Sequence, residues 1–133
     1  MKNHLVHGLL AGILAGLTSI LYHWAYREAL LVDFSPLLSP SILLSASMIS
    51  CLVASLGYHF FSKWVLIGTD LWFNTIFLVL VLVSLVGSFA VTLPEHIQEP
   101  ELFPGLSVPM HLFPMLFWLI TKPLTQAKST FSH

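Results

Sequence analysis

Long runs without a charged residue alternate with short polar segments along this chain. A helix needs about 20 apolar residues to cross a hydrocarbon core of ~30 Å. Four runs reach that length, at 3–26, 34–62, 71–94 and 102–121. They predict an all-α fold, a four-transmembrane-helix bundle that forms one integral membrane domain over 1–133. The predicted helices are 5–26, 40–61, 71–92 and 107–121, and the fourth of them is short.

Composition excludes the soluble classes of protein. Of the 133 residues, 56% are hydrophobic and 8% are charged, whereas a soluble domain carries about 25% charged residues. Five basic and six acidic residues cannot cover the surface of a soluble fold. We therefore expect neither a soluble enzyme nor a nucleic-acid-binding protein. The expected partners are the lipid bilayer and either further copies of the chain or another membrane protein.

The basic residues predict an orientation. With four spans, one side of the membrane receives Lys2, Lys63, Lys122 and Lys128, and the other receives only Arg27. The positive-inside rule then places the N-terminus and the C-terminus on the inner side. Five of the six acidic residues fall on the outer side.

Small residues line one face of each of the first two predicted helices. Small side chains let helix backbones approach closely within a membrane, where apolar burial does not drive association. The pattern indicates tight helix packing and leaves open whether the partner helix lies in the same chain or in another. The packing residues are Gly8, Gly12 and Gly16 in the first helix, and Ser50, Ala54 and Gly57 in the second.

Two polar residues lie near the start of the third predicted helix. Asp70 follows a Gly68-Thr69 turn, so it is interpreted as a helix cap that accepts backbone N–H bonds. The alternative is a proton or cation role, because an acid within a membrane is expensive and usually functional. Asn74, one turn deeper, is expected to hydrogen-bond to a neighbouring helix.

The segment 93–109 contains four prolines and three glutamates. Proline restricts the backbone, so the segment is predicted to be an ordered, proline-rich loop at the outer interface. Pro114 then interrupts the fourth helix and predicts a kink.

Histidines and glutamates gather at the predicted outer end. Imidazole together with carboxylate suits a proton relay or a transition-metal ion. No fixed ligand spacing is present, so packed or interfacial histidines are the competing interpretation. The candidate ligand or proton-relay residues are His111, His23, His96, Glu95, Glu99, Glu101, Asp70 and Asn74. The candidates for a metal are His23, His96 and His111.

Haem is the other cofactor that a four-helix membrane bundle could hold. The candidate axial pair is His7 and His59, but neither lies on the small-residue face of its helix. No cofactor is therefore predicted, and haem least of all.

Three stretches of sequence resemble an uncharacterised family of small four-helix bacterial integral membrane proteins. They are HGLLAGILAGLTSILY at the start, ASLGYHF at the end of the second helix, and PELFPGLSVPMHLFP at 100–114. The resemblance implies four helices and a bacterial inner-membrane location. It implies no activity and no catalytic residue.

Three functions remain open at this point. The leading hypothesis is a non-enzymatic membrane component that works through helix packing, as a homo-oligomer or as an accessory subunit of a membrane complex. The second is a transporter or sensor of a small cation or an apolar ligand, with its site at the outer end of the bundle. A membrane-embedded enzyme is third, since no nucleophile–base pair or catalytic motif supports it.

Overall fold

The computed structural model describes residues 2–65, 67–93 and 99–130. These residues form four α-helices and one short 3₁₀ turn, and they contain no strand. The helices are α1 (Lys2–Leu30), α2 (Pro40–Trp64), α3 (Thr69–Ala90) and α4 (Phe103–Thr130), and the 3₁₀ turn is Pro100–Leu102. All four α-helices are long and apolar enough to cross a membrane. The prediction of an all-α fold with four such helices is confirmed.

The two ends of the bundle are distinguished by the aspartates that they carry. We call the end where α1 and α3 finish the Asp33 end, and the opposite end the Asp70 end. Asp33 lies between α1 and α2 and accepts a hydrogen bond from the Ser35 backbone N–H at 2.8 Å. Hydrogen bonds from Ser35 lower the pKa of Asp33, so this carboxylate stays ionised at neutral pH. The Asp33 end is the outer one under the predicted orientation.

The fourth helix is longer than predicted. It begins at Phe103 and ends at Thr130, so the prediction of a short helix over 107–121 is wrong. The prediction of a loop over 93–109 is also wrong for its second half, which is the 3₁₀ turn and the start of α4. Pro104 fits there because N–H groups in the first turn of a helix have no acceptor within the helix. Residues 94–98 lie outside the described residues.

Pro109 and Pro114 lie inside α4, which remains helical through both. Pro109 has no N–H, so the carbonyl of Gly105 loses its usual donor. The hydroxyl of Tyr22 in α1 replaces it and donates to the Gly105 oxygen at 2.9 Å. A neighbouring helix thus satisfies the backbone group that proline leaves unpaired, as a membrane interior requires. The kink predicted at Pro114 stays a prediction.

Tyr22→Phe is expected to lower the free energy of unfolding by about 1 kcal/mol, because it leaves the Gly105 carbonyl without this donor. Thermal unfolding of the detergent-solubilised protein measures the loss. The same substitution is also made in the Pro109→Ala variant, in which the restored N–H of residue 109 donates to the Gly105 carbonyl. There Tyr22→Phe should cost less than half as much, and an equal cost in both backgrounds would contradict this account.

Helices α2 and α4 both pack against α1. Helix α3 contacts mainly α4, and it makes no contact with α1 among the described residues. Two apolar clusters form the core. The cluster at the Asp33 end comprises Val32, Phe34, Leu43, Phe103, Leu106 and Met110. The cluster at the Asp70 end comprises Ala54, Tyr58, Phe73 and Trp118.

The three glycines Gly8, Gly12 and Gly16, which we call the glycine seam, lie against α2 of the same chain. A Cβ added to Gly8 would lie 2.7 Å from the Cβ of Ser55, and one added to Gly12 would lie 2.8 Å from the Cα of Met48. No side chain fits at those distances. The seam therefore serves the contact between α1 and α2.

Candidate functional site: a cleft between α2 and α3

Helix α3 is the least buried of the four apolar helices. Only 17% of the most apolar 18-residue stretch of α3 is buried, against 33% to 39% for the corresponding stretches of the other three helices. Because α3 packs on α4 and makes few contacts with α2, a cleft of about 630 Å³ opens between α2 and α3. On α2 it extends from Ile42 to Gly57, a length of about 22 Å at the rise of an α-helix.

The lining of the cleft divides into two halves. In the half nearer the Asp70 end, every lining residue is apolar or glycine. These residues are Val53, Ala54, Gly57, Phe73, Ile76 and Phe77. The half nearer the Asp33 end adds six polar side chains to an apolar background. They are Ser19, Ser47, Ser50, Ser84, Ser107 and His111. The described lining contains no Asp, Glu, Lys or Arg side chain.

His111 lines the polar half of the cleft. Its Nδ1 lies 2.8 Å from the backbone oxygen of Ser107. A carbonyl oxygen can only accept, so Nδ1 carries the hydrogen in the neutral ring and Nε2 keeps a lone pair. No described residue donates to that Nε2. The hydroxyls of Ser107 and Ser88 lie 2.8 Å apart, which joins α4 to α3 beside the histidine.

The sequence candidates do not assemble into one cluster. His23 is 6% exposed and lies outside the cleft lining, and its Nε2 has no hydrogen-bond partner among the described residues. Glu99 immediately precedes the 3₁₀ turn and Glu101 lies within it, and both are exposed. Glu95 and His96 lie outside the described residues. Across residues 2–65, 67–93 and 99–130, no group of three His, Cys, Asp or Glu side chains is placed to hold a metal ion.

His7 and His59 make separate local contacts. The Nε2 of His7 lies 3.0 Å from the backbone oxygen of Trp118, and the rings of these two residues are 4.2 Å apart. His59 contacts Phe60 and His4 through its ring. His7 is therefore engaged by α4 rather than directed at a shared site with His59.

Asp70 takes part in an ion pair that joins α3 to α4. Its Oδ1 lies 2.7 Å from Nζ of Lys122 and also accepts a hydrogen bond from the Tyr58 hydroxyl. The same Nζ lies 4.5 Å from the centroid of the Tyr58 ring, a distance typical of a cation–π contact. The N-cap of α3 is Gly68 in a left-handed conformation, so the interpretation of Asp70 as the cap is wrong.

Asn74 lies one turn along α3 from Asp70, and it does not line the cleft. Its Oδ1 is buried without a hydrogen-bond partner among the described residues, as is Nε1 of Trp118. The hydrogen bond to a neighbouring helix that was expected of Asn74 is not formed by this oxygen.

Sequence reasoning singled out His111 and Asp70 but missed Tyr58 and Lys122. Lys122 is 52 positions from Asp70 along the chain, so no local spacing connects them. The feature of the sequence that connects Asp70 with Lys122 is the order of the spans. Four antiparallel helices bring the start of the third beside the end of the fourth, and these ends carry one acid and one base.

Four helices long and apolar enough to cross a membrane, with a cleft on one side, define the class of a small multi-pass membrane protein. No protein-family model, curated protein or solved structure matches the chain.

Proposed function

We propose that the protein binds an apolar small molecule in the cleft between α2 and α3, within the plane of the membrane. The observation that carries the proposal is the cleft itself. Its volume of about 630 Å³ lies in the range typical of ligand pockets. Its lining is mostly apolar with a few polar groups, which is the usual composition of a site for a small organic ligand.

The position of the cleft supports entry from the lipid. It lies beside α3, whose surface is mostly exposed. A ligand that dissolves in the bilayer could reach the cleft sideways without crossing a polar surface. The described lining contains no carboxylate, so an apolar ligand is favoured over a small cation. Transport and sensing are both compatible with such a site.

Assembly through helix packing is the second candidate function. The glycine seam does not support it, because α2 of the same chain occupies that seam. The observation in its favour is the low burial of α3. A helix of a second copy, or of another membrane protein, could cover that face, making the chain a homo-oligomer or an accessory subunit. Native mass spectrometry from mild detergent tests this function, which predicts a dimer or a co-purifying protein.

We further propose a location in a bacterial inner membrane with both termini inside. The one-sided distribution of lysines supports the orientation. The resemblance at 100–114 supports the bacterial membrane. Fractionation of bacterial cells tests the location, and fusions of a periplasm-silent reporter to either terminus test the orientation.

Ala46→Trp is expected to reduce ligand capture in the cleft by about tenfold or more, the equivalent of ~1.4 kcal/mol of binding. Ala46 lines the cleft and is exposed, so an indole can enter the space without displacing the core. Photolabelling with a diazirine-bearing hydrocarbon in nanodiscs, followed by peptide mass spectrometry, measures capture. The control is Ala25→Trp, an exposed position on α1 away from the cleft. Equal labelling of the two variants would overturn the proposed function.

A further inference from the structure

We propose that the ligand is a neutral long-chain alcohol whose hydroxyl donates a hydrogen bond to Nε2 of His111. This inference rests on the proposed function and names the chemistry of the ligand. It follows from three features of the cleft: the ring nitrogen of His111 without a donor among the described residues, the three serine hydroxyls whose hydrogens are already donated, and the division into a polar and an apolar half.

His111 selects for a donor on the ligand. The Ser107 carbonyl oxygen, 2.8 Å away, fixes the hydrogen of the neutral ring on Nδ1. The Nε2 of the same ring therefore accepts and does not donate. A ligand hydroxyl can donate a hydrogen bond to this nitrogen. The carbonyl oxygen of a ketone, a quinone or an ester has no hydrogen to donate, so its lone pair would face the lone pair of Nε2.

Three of the five serines of the polar half act in the same direction. Ser19, Ser50 and Ser84 donate their hydroxyl hydrogens to backbone oxygens of their own helices, at 2.9, 2.8 and 2.7 Å. Each of these hydroxyls then has only acceptor capacity left. These three hydroxyls are complementary to a group that brings an O–H.

The remainder of the ligand is apolar. The half of the cleft nearer the Asp70 end offers only apolar side chains and one glycine, so a polar group placed there would lose its hydration without compensation. A charged head group is disfavoured too, since the described lining holds no residue of fixed charge to pair with it. The hydroxyl thus lies in the half nearer the Asp33 end, and the tail lies along α2 toward Gly57.

The test uses the full chain in phosphatidylcholine nanodiscs and two photoreactive probes with the same diazirine-bearing C16 tail. One probe ends in a hydroxyl and the other in a methyl ether, which lacks the donor. In the native protein the alcohol should label cleft peptides about tenfold more efficiently than the ether, the effect of one hydrogen bond.

The variants assign that preference to a residue. His111→Phe keeps a ring but loses the acceptor, so labelling by the alcohol should fall to the level of the ether. His111→Gln retains a carbonyl acceptor and should keep part of the preference. His59→Phe is the matched control at a histidine outside the cleft lining, and it should leave the preference unchanged.

Failure of the inference and failure of the proposed function give different labelling results. If both probes label the cleft equally, or if His111→Phe keeps the full preference, the inference is overturned and the apolar-ligand function stands. If neither probe labels cleft peptides, the proposed function and the inference fall together.

Discussion

Gly12→Leu is expected to lower the free energy of unfolding by about 3 kcal/mol, at the upper end of the usual cost of overpacking. A Cβ on residue 12 would lie 2.8 Å from the Cα of Met48 and 3.3 Å from the backbone oxygen of Ser47. These are backbone atoms of a helix, so no change of side-chain rotamer can relieve the clash. The two helices must separate, and the contacts along α1 and α2 are lost over several turns.

The control is the same substitution at Gly87 in α3. No atom lies within 4 Å of a Cβ added there, so Gly87→Leu meets open space. It should change stability by less than about 1 kcal/mol, and the change should be favourable, because glycine is a poor helix former. Titration of the mixed-micelle protein with SDS, followed by circular dichroism and tryptophan fluorescence, compares the two variants. Equal midpoints for Gly12→Leu and Gly87→Leu would show that the close approach does not limit stability.

A milder series separates steric exclusion from helix propensity. Gly12→Ala adds one methyl group and should cost about 1 kcal/mol despite the better helix propensity of alanine. Gly57→Ala should be close to neutral, because its added Cβ would lie 3.5 Å from the Phe73 ring, an ordinary contact. The expected order of stability is therefore Gly87→Ala, then Gly57→Ala, then Gly12→Ala.

The helices could be predicted from sequence because the membrane imposes their length. Any charge-free run of about 20 residues must hydrogen-bond its own backbone in lipid, so the runs themselves predict helices. The start of the fourth helix was harder to place. Pro104 and Pro109 suggest a loop when considered alone, whereas the Tyr22 hydroxyl supplies the donor that Pro109 removes. That compensation depends on α1 and is invisible in the local sequence.

The candidate site could be predicted only in part. His111 and Asp70 stand out because polar groups in apolar helices are rare. The cleft cannot be recognised in the sequence, because it is formed where α2 and α3 do not pack closely against each other. The small residues Ser50 and Gly57 suggest close packing by composition, yet both line the cleft and are exposed. Whether a small residue is packed or exposed depends on the distance between helices, which the periodicity of the sequence does not encode.

Asp70→Asn is expected to lower the free energy of unfolding by about 2 kcal/mol, between the costs of breaking an exposed and a buried ion pair. The two partners differ in exposure: 57% of the Asp70 side chain is exposed, against 12% for Lys122. The substitution therefore removes a carboxylate from beside a largely buried ammonium. The amide that replaces the carboxylate could still accept from Tyr58, so most of the loss should come from the charge on Lys122.

The double variant Asp70→Asn/Lys122→Gln decides whether the charge is responsible. Removing the ammonium as well should restore at least half of the lost stability, a coupling of about 1 kcal/mol or more in the cycle. The comparison pair is Arg27–Glu28, which is 3.2 Å apart with side chains 41% and 57% exposed, and Glu28→Gln there should cost less than about 0.5 kcal/mol. SDS titration measures each of these variants. Additive losses at 70 and 122 would contradict a stabilising pair.

The same ion pair bears on the cleft. Asp70–Lys122 at one end and Ser88–Ser107 at the other are polar contacts that hold α3 to α4. Weakening the first of them should let α3 shift at the apolar half of the cleft, because that half lies nearer the Asp70 end. Asp70→Asn should therefore also change the yield of hydrocarbon photolabelling at Phe73 and Phe77, whereas Glu28→Gln should leave it unchanged.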